Sequence, residues 1–89
     1  MNPTIAFILK SQQDSVSRHT LSMWTVFSRP DGYVARKFEF KGNEPVSTEE
    51  TLRTTDAAGL ELLRDAFKQA GLQRMRNTHD DPQIIETWV

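Results

Sequence analysis

Hydrophobic and polar positions alternate most clearly in the first half of the chain. From Thr20 to Ser28, and again from Tyr33 to Phe40, β-branched and aromatic residues dominate two short stretches, the pattern of paired strands. Between them stands Arg29-Pro30-Asp31-Gly32. Pro presets φ at the second turn position, Asp tolerates the third, and Gly accepts left-handed backbone, so the turn chemistry predicts a β-hairpin closed by a three-residue loop. Arg29 then pairs with Tyr33, which brings Val26 opposite Arg36, Trp24 opposite Phe38 and Met23 opposite Glu39. In that register one face carries Trp24, Val26, Val34, Phe38 and Phe40. The other carries Leu21, Met23, Phe27, Arg29 and Tyr33 mixed with Lys37, Glu39 and Lys41.

The remaining stretches read less evenly. Thr4 to Leu9 is short, apolar and rich in β-favouring residues, which predicts a buried strand, and the polar run from Ser11 to Ser17 reads as a loop. Lys41 to Pro45 is a loop by composition, and Thr51 to Thr54 a brief edge strand. From Asp56 to Ala70 the period changes: Leu60, Leu63, Phe67 and Ala70 recur at helical steps while Glu61, Arg64, Asp65 and Lys68 fall outside the stripe. Thr55 is the expected cap, and Gly71 followed by Leu72 predicts a left-handed helix stop with Leu72 folding back onto Phe67. Leu72 to Arg76 and Gln83 to Val89 read as two short strands, with Arg74 or Arg76 meeting Glu86 across the pair. Trp88 is expected to complete the core beside the helix. The predicted fold class is α+β, a small antiparallel sheet of about four to six strands in the order β-β-β-(β)-α-β-β, packed on one face by a single amphipathic helix.

Composition narrows the function more than it names it. A chain of 89 residues with 37% hydrophobic and 26% charged residues supports one domain, residues 1–89, with a thin core. Eleven basic residues against twelve acidic ones leave a net charge of −1, without the general basic field of most nucleic-acid binders. The absence of cysteine removes disulfides and thiolate metal sites and points to the cytoplasm. The longest apolar stretch, Ile5 to Leu9, is far short of the roughly 20 residues a membrane span needs.

Catalytic chemistry has little to build on. His79-Asp80-Asp81 groups an imidazole with two carboxylates, but adjacent side chains splay apart, and Asp80-Asp81-Pro82 is also what a tight turn before a strand looks like. The four glycines are isolated, so no phosphate loop exists, and no serine sits in a nucleophile elbow. The expectation is a protein that is not an enzyme and uses no cofactor or metal. Arg36, placed among apolar side chains, needs either a carboxylate such as Asp65 or Glu61, or an exit to water. The second hairpin face supplies the partner-binding candidates Met23, Phe27, Arg29, Tyr33, Lys37 and Lys41, since aromatic, Met and Arg side chains are those that interfaces favour. The leading expectation is a protein–protein interaction module, an adaptor, regulator or inhibitor-like protein that binds another chain or a second copy of itself. The alternative is a single-stranded nucleic-acid binder that stacks bases on the same rings and neutralises phosphates with the same cations.

Overall fold

The hairpin closes one residue tighter than its turn residues predict. In the computed structural model, which describes residues 2–75 and 81–89, β1 (Ser22–Arg29) and β2 (Gly32–Lys41) pair antiparallel with Arg29 opposite Gly32, so the loop is Pro30-Asp31 alone. Gly32 belongs to the strand, at φ 140°, and a Cβ there would stand 2.1 Å from the Thr54 carbonyl oxygen. Glycine is therefore required both by the positive φ and by the close approach of a third strand, and not by the predicted bulge. The slip re-pairs the whole hairpin: Trp24 stands opposite Lys37, Val26 opposite Ala35, Phe27 opposite Val34 and Thr25 opposite Arg36. Because side chains alternate with period two, a one-residue shift turns every β2 side chain to the other face relative to β1.

The third strand, β3 (Glu44–Thr54), is longer than the edge strand the sequence suggests, and pairs with β2 on both sides of an irregularity between Arg36 and Phe38. A helix, labelled α2 below (Ala57–Gln69), follows; its N-cap is Asp56 and not Thr55, with the Asp56 carboxylate accepting the Gly59 amide at 2.7 Å. It ends as its sequence predicts. Gly71 takes φ 90°, and the Leu72 amide donates back to the Phe67 carbonyl at 3.0 Å. Two short strands, β4 (Arg74–Met75) and β5 (Ile84–Trp88), complete a five-stranded antiparallel sheet in the order β3-β2-β1-β5-β4. Arg74 lies opposite Trp88 and not Glu86; Arg76 lies outside the described residues.

The larger correction is at the start of the chain, where the expected strand and loop are one helix, α1 (Pro3–Ser17). Its start signals are local. The Asn2 side chain accepts the Thr4 amide at 2.7 Å, and Pro3 follows in the first turn, where its missing N–H costs nothing. Its inward positions are Ile8, Ser11 and Ser15, with Ile5 partly buried. Only half of that stripe is apolar, so its period is masked in the sequence.

Both helices lie on one side of the sheet. Ile8 from α1 and Leu60, Leu63, Ala66 and Phe67 from α2 close over Trp24, Val26, Ala35 and Trp88. Phe67 is the centre, stacked on Trp88 at 5.4 Å and tilted against Trp24 at 5.7 Å between ring centroids. Trp88 thus completes the core as expected, and each such buried ring contributes at least about 2 kcal/mol. The result is an α+β domain with one covered face and one open face, and no helix among the described residues is long and apolar enough to cross a membrane.

Candidate binding face

Alternation along β1 and β2 sorts the side chains, and the covered face holds more charge than its position suggests. Lys37, opposite Trp24, is fully buried under α1; its ammonium donates to the Ser11 carbonyl and hydroxyl, both at 2.6 Å, and lies 3.8 Å from a Glu50 carboxylate oxygen. Burial pushes its pKa down, partly opposed by Glu50 and Glu39. Glu39 accepts from the Ser15 hydroxyl at 2.8 Å and pairs with Arg18, which holds its carboxyl below the usual range. Glu86, 3% exposed, accepts from the Trp88 indole at 2.7 Å and from the Arg64 guanidinium at 2.6 and 2.9 Å; that hydrogen bonding raises the Arg64 pKa. The Trp24 indole donates to Gln12 at 3.2 Å. Among the described residues, every buried side-chain polar atom has a partner.

The serines of α1 explain themselves in this layer. Ser11 and Ser15 face inward because Lys37 and Glu39 stand beneath them, and nothing in the hairpin's own sequence indicates that odd-numbered β2 residues lie under a helix. Sequence reasoning missed Lys37 and Glu86 as buried ions and Glu39 as a half-buried one, and the inward serines are the signal that could have found Lys37 and Glu39.

The open face is built from the opposite parity. Met23, Thr25, Phe27 and Arg29 of β1 share it with Val34, Arg36, Phe38 and Phe40 of β2, with Thr51 and Arg53 of β3, and with Ile84 and Thr87 of β5. Three rows cross the strands. One runs Ser47, Phe38, Met23; the next Thr51, Arg36, Thr25, Thr87, Met75; the third Arg53, Val34, Phe27, Ile84. A polar row centred on Arg36 therefore lies between two largely apolar ones. The core-forming residues of both helices lie on the other side, while Thr25, Val34 and Thr87 within this face are only 2%, 5% and 4% exposed. Arg29 is tied down beside the third row, its guanidinium 5.0 Å from the centroid of the Phe27 ring and donating to Gln83 at 2.6 Å.

The residues expected to form one partner surface do not share a face. Met23, Phe27 and Arg29 stand together on the open side. Tyr33 packs against the core, Lys37 is buried beneath α1, and Lys41, exposed at the turn into β3, has the covered-side parity. Their places on the open face are taken by Val34, Arg36, Phe38 and Phe40. Arg36 is consequently not under α2, and neither Asp65 nor Glu61 is its partner; Glu61 pairs with Arg64. His79 and Asp80 lie outside the described residues. Depressions of about 240 Å³ beside Leu52, Gly59 and Leu63, and about 180 Å³ beside Phe7, Ser11 and Glu50, are smaller than the roughly 300–1,000 Å³ of typical small-molecule sites.

By architecture this is an α+β domain with a five-stranded antiparallel sheet, two helices on one side and a mixed apolar and cationic surface on the other. Compared with models of known protein families, with curated proteins and with solved structures, the chain has no match.

Proposed function

We propose that this chain is a non-catalytic protein–protein interaction module that works in the cytoplasm and docks a partner protein on the open face of its sheet. The observation that supports it is the asymmetry of the two faces. The covered face satisfies its ions within the fold, whereas the open face sets Met23, Phe27, Phe38 and Phe40, all half-buried, around Arg36, whose guanidinium has no hydrogen bond or ion pair among the described residues. Side chains of these types dominate the energetic centres of interfaces. The partner is another protein rather than a second copy, because two such faces would bring Arg29, Arg36 and Arg53 against their own duplicates, with Glu49 the one carboxylate that strand parity assigns to this side among the described residues.

A random-peptide display library panned on the intact protein tests this. Binders are expected that are lost on a folded Phe27→Asp, Phe38→Asp variant. If the library yields none that depends on those two rings, the reading is withdrawn. A second reading, single-stranded nucleic-acid binding, is favoured by one observation, the excess of arginine over carboxylate beside half-buried rings. It predicts mixed-sequence oligonucleotide binding that falls steeply with salt, and a flat fluorescence-anisotropy titration at low salt removes it.

A further inference from the structure

The protein contains four cations that are buried or half-buried among the described residues: Arg29, Arg36, Lys37 and Arg64. Lys37 has Ser11 and Glu50, Arg64 has Glu86 and Glu61, and Arg29 has Gln83 and the Phe27 ring. Arg36 alone has no hydrogen bond or ion pair with any described residue. Its neighbours across the sheet are hydroxyl side chains, Thr51 on β3 and Thr25 on β1, with Thr87 beyond; Thr25 and Thr87 are 2% and 4% exposed. The flanking positions on its own strand are Val34 and Phe38.

Water satisfies such a guanidinium while the face is open. A partner that covers Phe38, Met23 and Phe27 also strips water from Arg36, and an unpaired desolvated charge is heavily penalised. The partner must then bring an acceptor of its own, and a carboxylate matches the guanidinium fork with two parallel hydrogen bonds. Spacing specifies more. Alternate residues of a strand lie about 7 Å apart, so the apolar contacts above and below Arg36 fall at the repeat of another extended chain. On the reading that this face docks a protein, we infer that its partner is an extended segment of the pattern apolar-x-acid-x-apolar, with the Asp or Glu on Arg36 and the apolar side chains on Phe38 and Met23 to one side and on Phe27, beside the buried Val34, to the other.

The peptides recovered by display provide the test. Those that need Phe27 and Phe38 are expected to be enriched in Asp or Glu flanked two residues away on each side by apolar residues. A synthetic peptide of that consensus should lose roughly tenfold or more in affinity for Arg36→Gln, as expected when one member of a desolvated charge pair is removed. Panning on Arg36→Glu should move the enrichment from acidic to basic residues at the same position. Binders that need the rings but show no acidic position, or that ignore Arg36→Gln, overturn this inference and leave the docking reading standing; absence of any ring-dependent binder overturns both. An Arg36→Gln protein that fails to fold overturns it as well, since Arg36 would then hold the domain together. Salt-sensitive binding of a mixed-sequence single-stranded oligonucleotide that disappears in Arg36→Gln reassigns the arginine to phosphate.

Discussion

The two faces of this sheet are made from the same two strands and solve opposite problems. On the covered side, ions are buried or half-buried and each is matched: Lys37 by Ser11 and Glu50, Glu39 by Ser15 and Arg18, Glu86 by Arg64 and Trp88. On the open side the arginines are shallower, the flanking side chains are apolar, and Arg36 has no match among the described residues. A buried charge survives inside a fold only with its hydrogen bonds made, so the covered side carries its partners on the helices. A charge left unmatched at the centre of a half-apolar surface is tolerated because water still reaches it. The difference separates residues kept for the fold from residues free to serve something outside it.

Substitutions sharpen that contrast, beginning with the core. Trp24→Ala, which empties the position between Phe7 and Phe67, should lower unfolding stability by about 3–5 kcal/mol in urea titrations. A loss below about 1 kcal/mol there would mean that the covered side is not the core. Glu86→Ala strands the buried Trp88 indole N–H and leaves Arg64 with Glu61 alone, with an expected cost of about 2–4 kcal/mol; Glu86→Gln, which keeps an acceptor, should cost less.

A smaller effect is expected from pH. The Glu39 pKa is held below 4.5 by Arg18, so its stabilisation is present above that ordinary value and is lost as pH falls through the depressed one in the folded state. Melting temperatures measured from pH 6 downward should therefore fall less steeply for Glu39→Gln than for the unaltered chain, and identical slopes would remove the pair from the account. Lys37 has the same sense in a more alkaline window. Its pKa is lowered from 10.5 by burial, so ionisation alone makes the fold more stable as pH rises from its depressed value toward 10.5. Lys37→Met should abolish that rise relative to the parent.

The open side should respond least. Phe38→Ala is expected to cost about 1 kcal/mol through lost cross-strand packing, and Arg36→Gln no more than about 0.5 kcal/mol in the same urea titration. If Arg36→Gln instead costs as much as Glu86→Ala, the two faces are not different in kind and the contrast collapses.

Several features were legible in the linear chain because they are local. The hairpin at Arg29-Pro30-Asp31-Gly32, the amphipathic stripe through Leu60, Leu63 and Phe67, and the Gly71–Leu72 helix stop depend on neighbours a few residues away, and each stands where its residues place it. That Met23, Phe27 and Arg29 share one side of the sheet was legible for the same reason, since β1 alternates on its own. Three matters were decided only by tertiary contact. The hairpin register accompanies the approach of β3 to Gly32, where the Thr54 carbonyl leaves no room for a side chain. The first helix was concealed because its inward serines are chosen to meet ions on a strand distant in sequence, so they read as loop until Lys37 and Glu39 are seen beneath them. Arg36 was expected under a helix and stands on the open sheet. A period of two fixes which residues share a side of one strand, but only the pairing with the next strand decides which side that is.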